Sequence, residues 1–164
     1  MRCLSWNCHG LGNPAAVREL CSVVEQEGPG LLFMMETKIP AKRLENLQAT
    51  LGFAGCFVLS SAGLSGGIGL FWSTDLTVDL KSYSSGHIDA MVQKSDMSED
   101  PIRFTGFYGA PRAPDRHHSW RFLRTLNAIP HSAWLCVGDF NETLYASEHF
   151  SRAARPEWQM RAFR

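Results

Sequence analysis

The chain alternates between short unbroken apolar runs and amphipathic stretches, and the two periods predict different elements. Arg2 to Trp6 is a strand-like run ending at Asn7, followed by a loop marked by Gly10, Gly12 and Pro14. Asn13-Pro14 is a helix start, with Asn as the cap and Pro at the first helical position. Val17, Leu20, Cys21 and Val24 recur at i, i+3, i+4 and i+7, so that helix has one apolar face, and Gly28-Pro29-Gly30 stops it. Leu31 to Met35 is apolar throughout and ends at Glu36. A second helix is expected over about Ala41 to Leu51, with Leu44, Leu47 and Leu51 inward. Phe53 to Leu59, Gly66 to Trp72, Leu76 to Tyr83, Ile88 to Val92 and Ile102 to Tyr108 read as strands. In GLSGGIGLFW, Gly67 and Gly69 share one face and Ile68, Leu70 and Trp72 the other. That run lacks the helix start and Lys of a P-loop, so its small face predicts close approach of another element. After the turn GAPRAPD a helix is expected over about Asp115 to Ile129, with Trp120, Leu123 and Leu126-Asn127 inward and Arg116, Arg121 and Arg124 outward. Trp134 to Val137 is the last clear strand, and Glu157 to Arg164 begins a further helix. Strand, helix, strand, helix, then a meander, then strand, helix, strand predicts an α/β domain of one or two sheets with helices outside.

Composition narrows the class without changing that picture. The 164 residues, 45% apolar and 20% charged, suit one globular domain spanning 1–164. No apolar run approaches the roughly 18–20 residues of a membrane helix, and MRCLSWNCHGLG does not read as a signal peptide. The formal net charge of zero excludes a protein held to nucleic acid by bulk charge alone. A local patch remains open, and Arg112, Arg116, Arg121 and Arg124 with His117 and His118 form the densest basic cluster; Arg112, Arg116 and Arg121 are the candidate DNA-backbone contacts. The five cysteines fit neither a zinc site nor a disulfide framework, and three lie in apolar runs where burial is expected. A reducing compartment, nucleus or cytoplasm, follows.

The candidate chemistry sits at strand ends. LSWN ends at Asn7, LLFMME at Glu36, FTGFY at Tyr108, and WLCVGDFN at Asp139 and Asn141. Each alone reads as a turn residue or a strand edge. Together, on one rim of a layered α/β fold, they make an oxygen-rich site of the kind that takes Mg²⁺ or Mn²⁺ and not zinc. His87 and Asp89, two apart on a strand, share a face and read as a polar pair at a strand start.

SWNCHGLG, METK, GLSGGIGLFW, FTGFYGAPR and WLCVGDFNE resemble, in order and spacing, the motifs of the endonuclease/exonuclease/phosphatase superfamily, whose fold is deoxyribonuclease-I-like. GLSGG before an apolar-Trp strand and GDFNE after one are most similar to the endonuclease domain of LINE-type non-LTR retrotransposons, particularly those of plants. The resemblance implies a two-sheet α/β sandwich and Mg²⁺-dependent hydrolysis of DNA phosphodiesters, with Mn²⁺ as a substitute. It implies that Glu36 ligates the metal with Asn7 beside it. Asp139 would orient or deprotonate the attacking water, Asn141 would hold the scissile phosphate and Tyr108 would contact it.

The family pattern has a second half beyond GDFN, with a further Asp and a Ser-Asp-His motif. Neither follows Asn141 before Arg164, and by motif none of the histidines, His117, His118, His131 and His149 included, fills that place. The expectation is a domain incomplete at its C-terminal end, a truncated relic or fragment whose missing strands a complementing polypeptide could supply. A non-catalytic remnant, and a phosphatase or phosphodiesterase of the same superfamily, are the competing readings.

Overall fold

Leu31–Met35 explains the layering. All five residues are buried, so the strand is covered on both faces, which is why its sequence is continuously apolar. In this computed structural model, which describes residues 1–63, 65–130, 133–148 and 155–164, it is the second of eight strands. His131 and His149 lie outside the described residues. The chain falls into two compact units, one of residues 1–107 and 131–138, the other of residues 108–130 and 139–164.

The first unit carries two sheets. One has the order β1-β2-β4-β3, built from β1 (Cys3–Asn7), β2 (Leu31–Met35), β3 (Gly55–Ala62) and β4 (Ser65–Trp72). β1 and β2 are parallel, with Asn7 opposite Met35, so both chains leave the sheet at the same end. The other sheet has the order β5-β6-β7-β8, from β5 (Leu76–Ser84), β6 (His87–Lys94), β7 (Ile102–Tyr108) and β8 (Trp134–Asp139). β5, β6 and β7 form the antiparallel meander. The sheets meet through Phe33 of β2, whose ring stands edge-on to Phe104 of β7 at 6.4 Å between centroids. A Cβ on Gly106 of β7 would come within 2.3 Å of the Phe33 ring. Gly106→Ala is therefore expected to destabilise the fold by about 1–3 kcal/mol through overpacking, read as a lower urea midpoint at unchanged slope.

On the far face of the first sheet, helix α1 (Pro14–Glu27) buries Leu20 and Val24 in a cluster with Leu32, Met34 and Phe71. Its start and stop are local: the Asn13 side chain accepts from the Ala16 N–H, and Gly28 closes it at φ 53°. The expected second helix is two short ones, α2 (Ala41–Glu45) and α3 (Leu47–Thr50). Asn46 joins them with a still right-handed backbone, φ −63° and ψ −18°, so the axis is interrupted rather than reversed.

The second unit carries helix α4 (Arg116–Asn127), after a single 3₁₀ turn at Ala113–Asp115, and helix α5 (Glu157–Phe163). Trp120 and Leu126 are buried on α4 as expected, while Asn127 is exposed. Arg116 is a correction: the sequence reading turns it outward, but it is 7% exposed. It lies one helical turn before Trp120 and therefore on the inner face, where its charge is met by Glu142 at 3.2 Å.

Candidate active site

In the first unit the site begins where β1 and β2 stop. The Asn7 side-chain amide donates to Glu36 Oε1 at 3.1 Å, and its Oδ1 accepts from the His9 N–H at 3.2 Å. Glu36 Oε2 lies 3.0 Å from Lys38 Nζ and 3.8 Å from His9 Nδ1. The Glu36 side chain is 17% exposed, enough to reach a ligand but largely desolvated. Next to Asn7, burial pushes the Cys8 thiol up to about 12, so it offers no thiolate. The donor set is thus a carboxylate and an amide, both hard oxygen ligands, with a carboxylate that already takes a cationic partner in Lys38. Among the described residues no three His, Cys, Asp or Glu gather around a metal-sized space. Mg²⁺ does not require three, since it binds through one or two carboxylates and keeps its waters. The residues fit such a cation and do not fit zinc.

In the second unit the site is the loop after β8. The Gly109 N–H donates to the Asp139 carbonyl at 2.8 Å. Asp139 Oδ1 accepts from the Asn141 N–H at 2.9 Å, and the Asn141 side-chain amide donates to the Gly109 carbonyl at 2.9 Å. Tyr108, half-buried, is the residue before Gly109, so these bonds tie it to the same loop. The glycine of GDFN belongs to the first unit, and its role there is steric. Gly138 has φ 145°, and a Cβ on it would sit 1.8 Å from the Phe107 carbonyl oxygen.

Glu142, the last residue of GDFNE, is not an open carboxylate. Its side chain is fully buried between Arg116 at 3.2 Å and Arg155 at 3.4 Å, and Oε1 accepts from the Thr143 N–H. It fastens the loop rather than facing a ligand. Of the basic candidates, Arg112 is 83% exposed and paired with Asp115 at 2.9 Å, Arg121 is exposed, and Arg116 is the buried partner of Glu142.

The structure therefore brings Asn7 and Glu36 together in one unit, and Tyr108, Asp139 and Asn141 in the other, while Arg112, Arg116 and Arg121 do not form one exposed cluster. Sequence reasoning missed Lys38 and Arg155. For Lys38 a signal existed: a cation two residues after the key carboxylate in METK.

A further regularity marks the site. Among the described residues, five that are not glycine have positive φ: His9, Glu36, Lys38, Met97 and Asn141. Four of the five are candidate residues or touch Glu36. Left-handed backbone at such residues costs roughly 1–3 kcal/mol each and persists where the surroundings over-determine it.

The Endonuclease/Exonuclease/phosphatase family profile matches residues 4–162. No curated protein matches the sequence. Among solved structures, humanized D. rerio TDP2 carrying 14 mutations aligns with a TM-score of 0.63 at 17% identity, over 85% of this chain and 66% of that one. D. rerio TDP2 complexed with a single-strand DNA product aligns at 0.58 and 17% identity, over 85% and 60%. The 3'-5' exonuclease NExo from Neisseria meningitidis aligns at 0.60 and 16% identity, over 86% and 58%. At these identities the likeness is one of fold, the two-sheet α/β sandwich expected from sequence. The chain spans at most 66% of the length of these three.

Proposed function

The chain belongs to the endonuclease/exonuclease/phosphatase family, and from that premise we propose that it hydrolyses DNA phosphodiesters with a divalent cation, Mg²⁺ or Mn²⁺, as a LINE-type retrotransposon endonuclease does. The observation that carries the reading is the coincidence of left-handed backbone with the candidate residues, Glu36 and Asn141 above all. Left-handed backbone at a glutamate is uncommon and clusters at functional sites, which supports this reading of Glu36. DNA as substrate is supported by the family and by the DNA product bound to one structural relative. Nucleus or cytoplasm is the setting that substrate requires. Among the described residues no helix is long and apolar enough to cross a membrane.

Glu36 would hold the cation with Asn7 beside it. The cation would neutralise charge on the phosphate and the leaving oxygen. Asp139 would orient a water and take its proton as the water oxygen bonds to phosphorus and the P–O bond to the leaving sugar oxygen breaks. One amide hydrogen of Asn141 is committed to the Gly109 carbonyl; the second is left to donate to phosphate. The Tyr108 phenol would donate to the same group. We propose that residues 1–164 belong to a single domain of the endonuclease/exonuclease/phosphatase type.

The test is nicking of supercoiled plasmid with Mg²⁺ or Mn²⁺, beside chelator, a phosphomonoester and an inositol phosphate. Cation-dependent nicking supports the proposal. Hydrolysis of the monoester or inositol substrate alone would move the reading to a phosphatase. No hydrolysis of any substrate by the folded chain would favour the non-catalytic reading. DNA contacts divide by exposure. Arg112→Ala with Arg121→Ala is expected to reduce the slope of log affinity against log salt by about 2, roughly one for each phosphate no longer neutralised. An unchanged slope in filter binding excludes both as contacts.

A further inference from the structure

The glycine pair of GLSGG sits against the turn that presents Glu36. The Thr37 N–H donates to the Gly67 carbonyl at 3.1 Å, and the Lys38 N–H to the Gly66 carbonyl at 3.0 Å. On the other side, the Leu11 N–H donates to the Thr37 carbonyl at 2.8 Å. The turn is thus gripped through its main chain at both faces, and the residues flanking Thr37 are left-handed, Glu36 at φ 50° and Lys38 at φ 53°. Gly66 and Gly67 are left-handed as well, at φ 71° and 83°.

The two glycines differ in what surrounds them. A Cβ on Gly66 would meet nothing within 4 Å. A Cβ on Gly67 would fall 2.3 Å from Thr37 Oγ1 and 3.3 Å from Ser61. Thr37 is 0% exposed, and among the described residues its hydroxyl has no hydrogen-bond partner. A buried hydroxyl without a bond is unfavourable by about 1–3 kcal/mol, so its place is set by packing. The threonine side chain fills the space that the missing Gly67 side chain leaves.

We propose that Gly66-Gly67 is a clasp that positions Glu36 for the cation, and that Gly67 sets the carboxylate's geometry through its contact with Thr37. Gly67 and Thr37 are positioning residues, since each would act through Glu36. Any side chain on Gly67 drives Thr37 out of its seat. That displacement strains the two main-chain bonds and loosens the constraint that holds Glu36 left-handed beside Asn7. The proposal rests on the reading of Glu36 as the cation ligand.

The pair contains its own control, because Gly66→Ala also places an alanine at positive φ but without the collision. Two readouts apply to the whole chain: Mn²⁺ affinity from the electron paramagnetic resonance signal of free Mn²⁺, and hydrogen exchange at the Thr37 and Lys38 amides, which needs no cation. Gly67→Ala is expected to weaken Mn²⁺ binding at least ~10-fold beyond Gly66→Ala, about 1.4 kcal/mol, and to expose both amides to exchange. Thr37→Ala added to Gly67→Ala removes the colliding hydroxyl and is expected to return both readouts to the Gly66→Ala level; Thr37→Ser, which keeps the hydroxyl, is expected not to. Exchange and affinity in Gly67→Ala that match Gly66→Ala would overturn the clasp. Glu36→Gln with wild-type Mn²⁺ affinity would overturn instead the assignment of Glu36, whatever the amides do.

Discussion

Asp139→Ala is expected to lower plasmid nicking by roughly 10²–10⁴-fold, the range for loss of a positioned general base. Asp139 is the last residue of β8, with its carbonyl held by the Gly109 N–H and its Oδ1 by the Asn141 N–H. The first bond anchors the Asp139 main chain and the second restrains its carboxylate before any substrate arrives, the kind of preorganisation that the proposed base needs. Alanine removes the proposed base and also the acceptor for the Asn141 N–H, in a loop where Asn141 has φ 56°. Asp139→Asn separates the two effects. Its amide oxygen still accepts from the Asn141 N–H, so the loop persists, but it takes no proton. Both variants should therefore lose nicking to a similar degree, while only the alanine lowers the melting temperature. Nicking by Asp139→Asn within about fivefold of wild type would remove Asp139 from the base's role and leave it as a loop fastener.

That experiment addresses a site of which part was legible from sequence. The strand ends at Asn7, Glu36, Tyr108 and Asp139 followed from apolar runs meeting polar residues, and the strands lie where those runs lie. Neighbouring β1 and β2, parallel and in register, then place Asn7 and Glu36 side by side without further instruction. For Arg116 the charge suggests solvent, but its position in the helix decides otherwise. The same period that puts Trp120 inside puts Arg116 inside one turn earlier, and only Glu142, distant in sequence, makes that burial tolerable. The left-handed Glu36 and Lys38 gave no signal, since neither residue type favours that conformation; the carbonyls bonded to this turn lie in another strand. Non-local pairing is what a single sequence conceals. The two strands carrying His87, Asp89 and Arg103 could each be drawn correctly without revealing which residues bond across them.

Those bonds lead to the largest expected loss of stability. Asp89 on β6 and Arg103 on β7 are 2% and 3% exposed and joined through Arg103 Nε and Nη2, at 3.0 Å to the two carboxylate oxygens. Thr105 donates to the same carboxylate, Trp134 Nε1 donates to Thr105 at 2.9 Å, and the guanidinium lies 5.2 Å from the Trp134 ring centroid. His87, buried beside them in sequence, lies between Ser82 and Ser84 rather than serving as a free base. Desolvation makes such a pair costly to form, so its presence is weak proof of net stabilisation; breaking it is another matter. Asp89→Ala leaves a buried guanidinium without its counter-charge and is expected to cost about 3–5 kcal/mol, a large share of the 5–15 kcal/mol typical of a domain. Urea unfolding followed by circular dichroism should show it as a midpoint shift. Asp89→Leu combined with Arg103→Met removes both charges and keeps the volume, so it should be clearly more stable than Asp89→Ala. A single variant losing less than ~1 kcal/mol, or a double variant no better than the single, would mean that water reaches the pair and that it is not the buried charge its geometry describes.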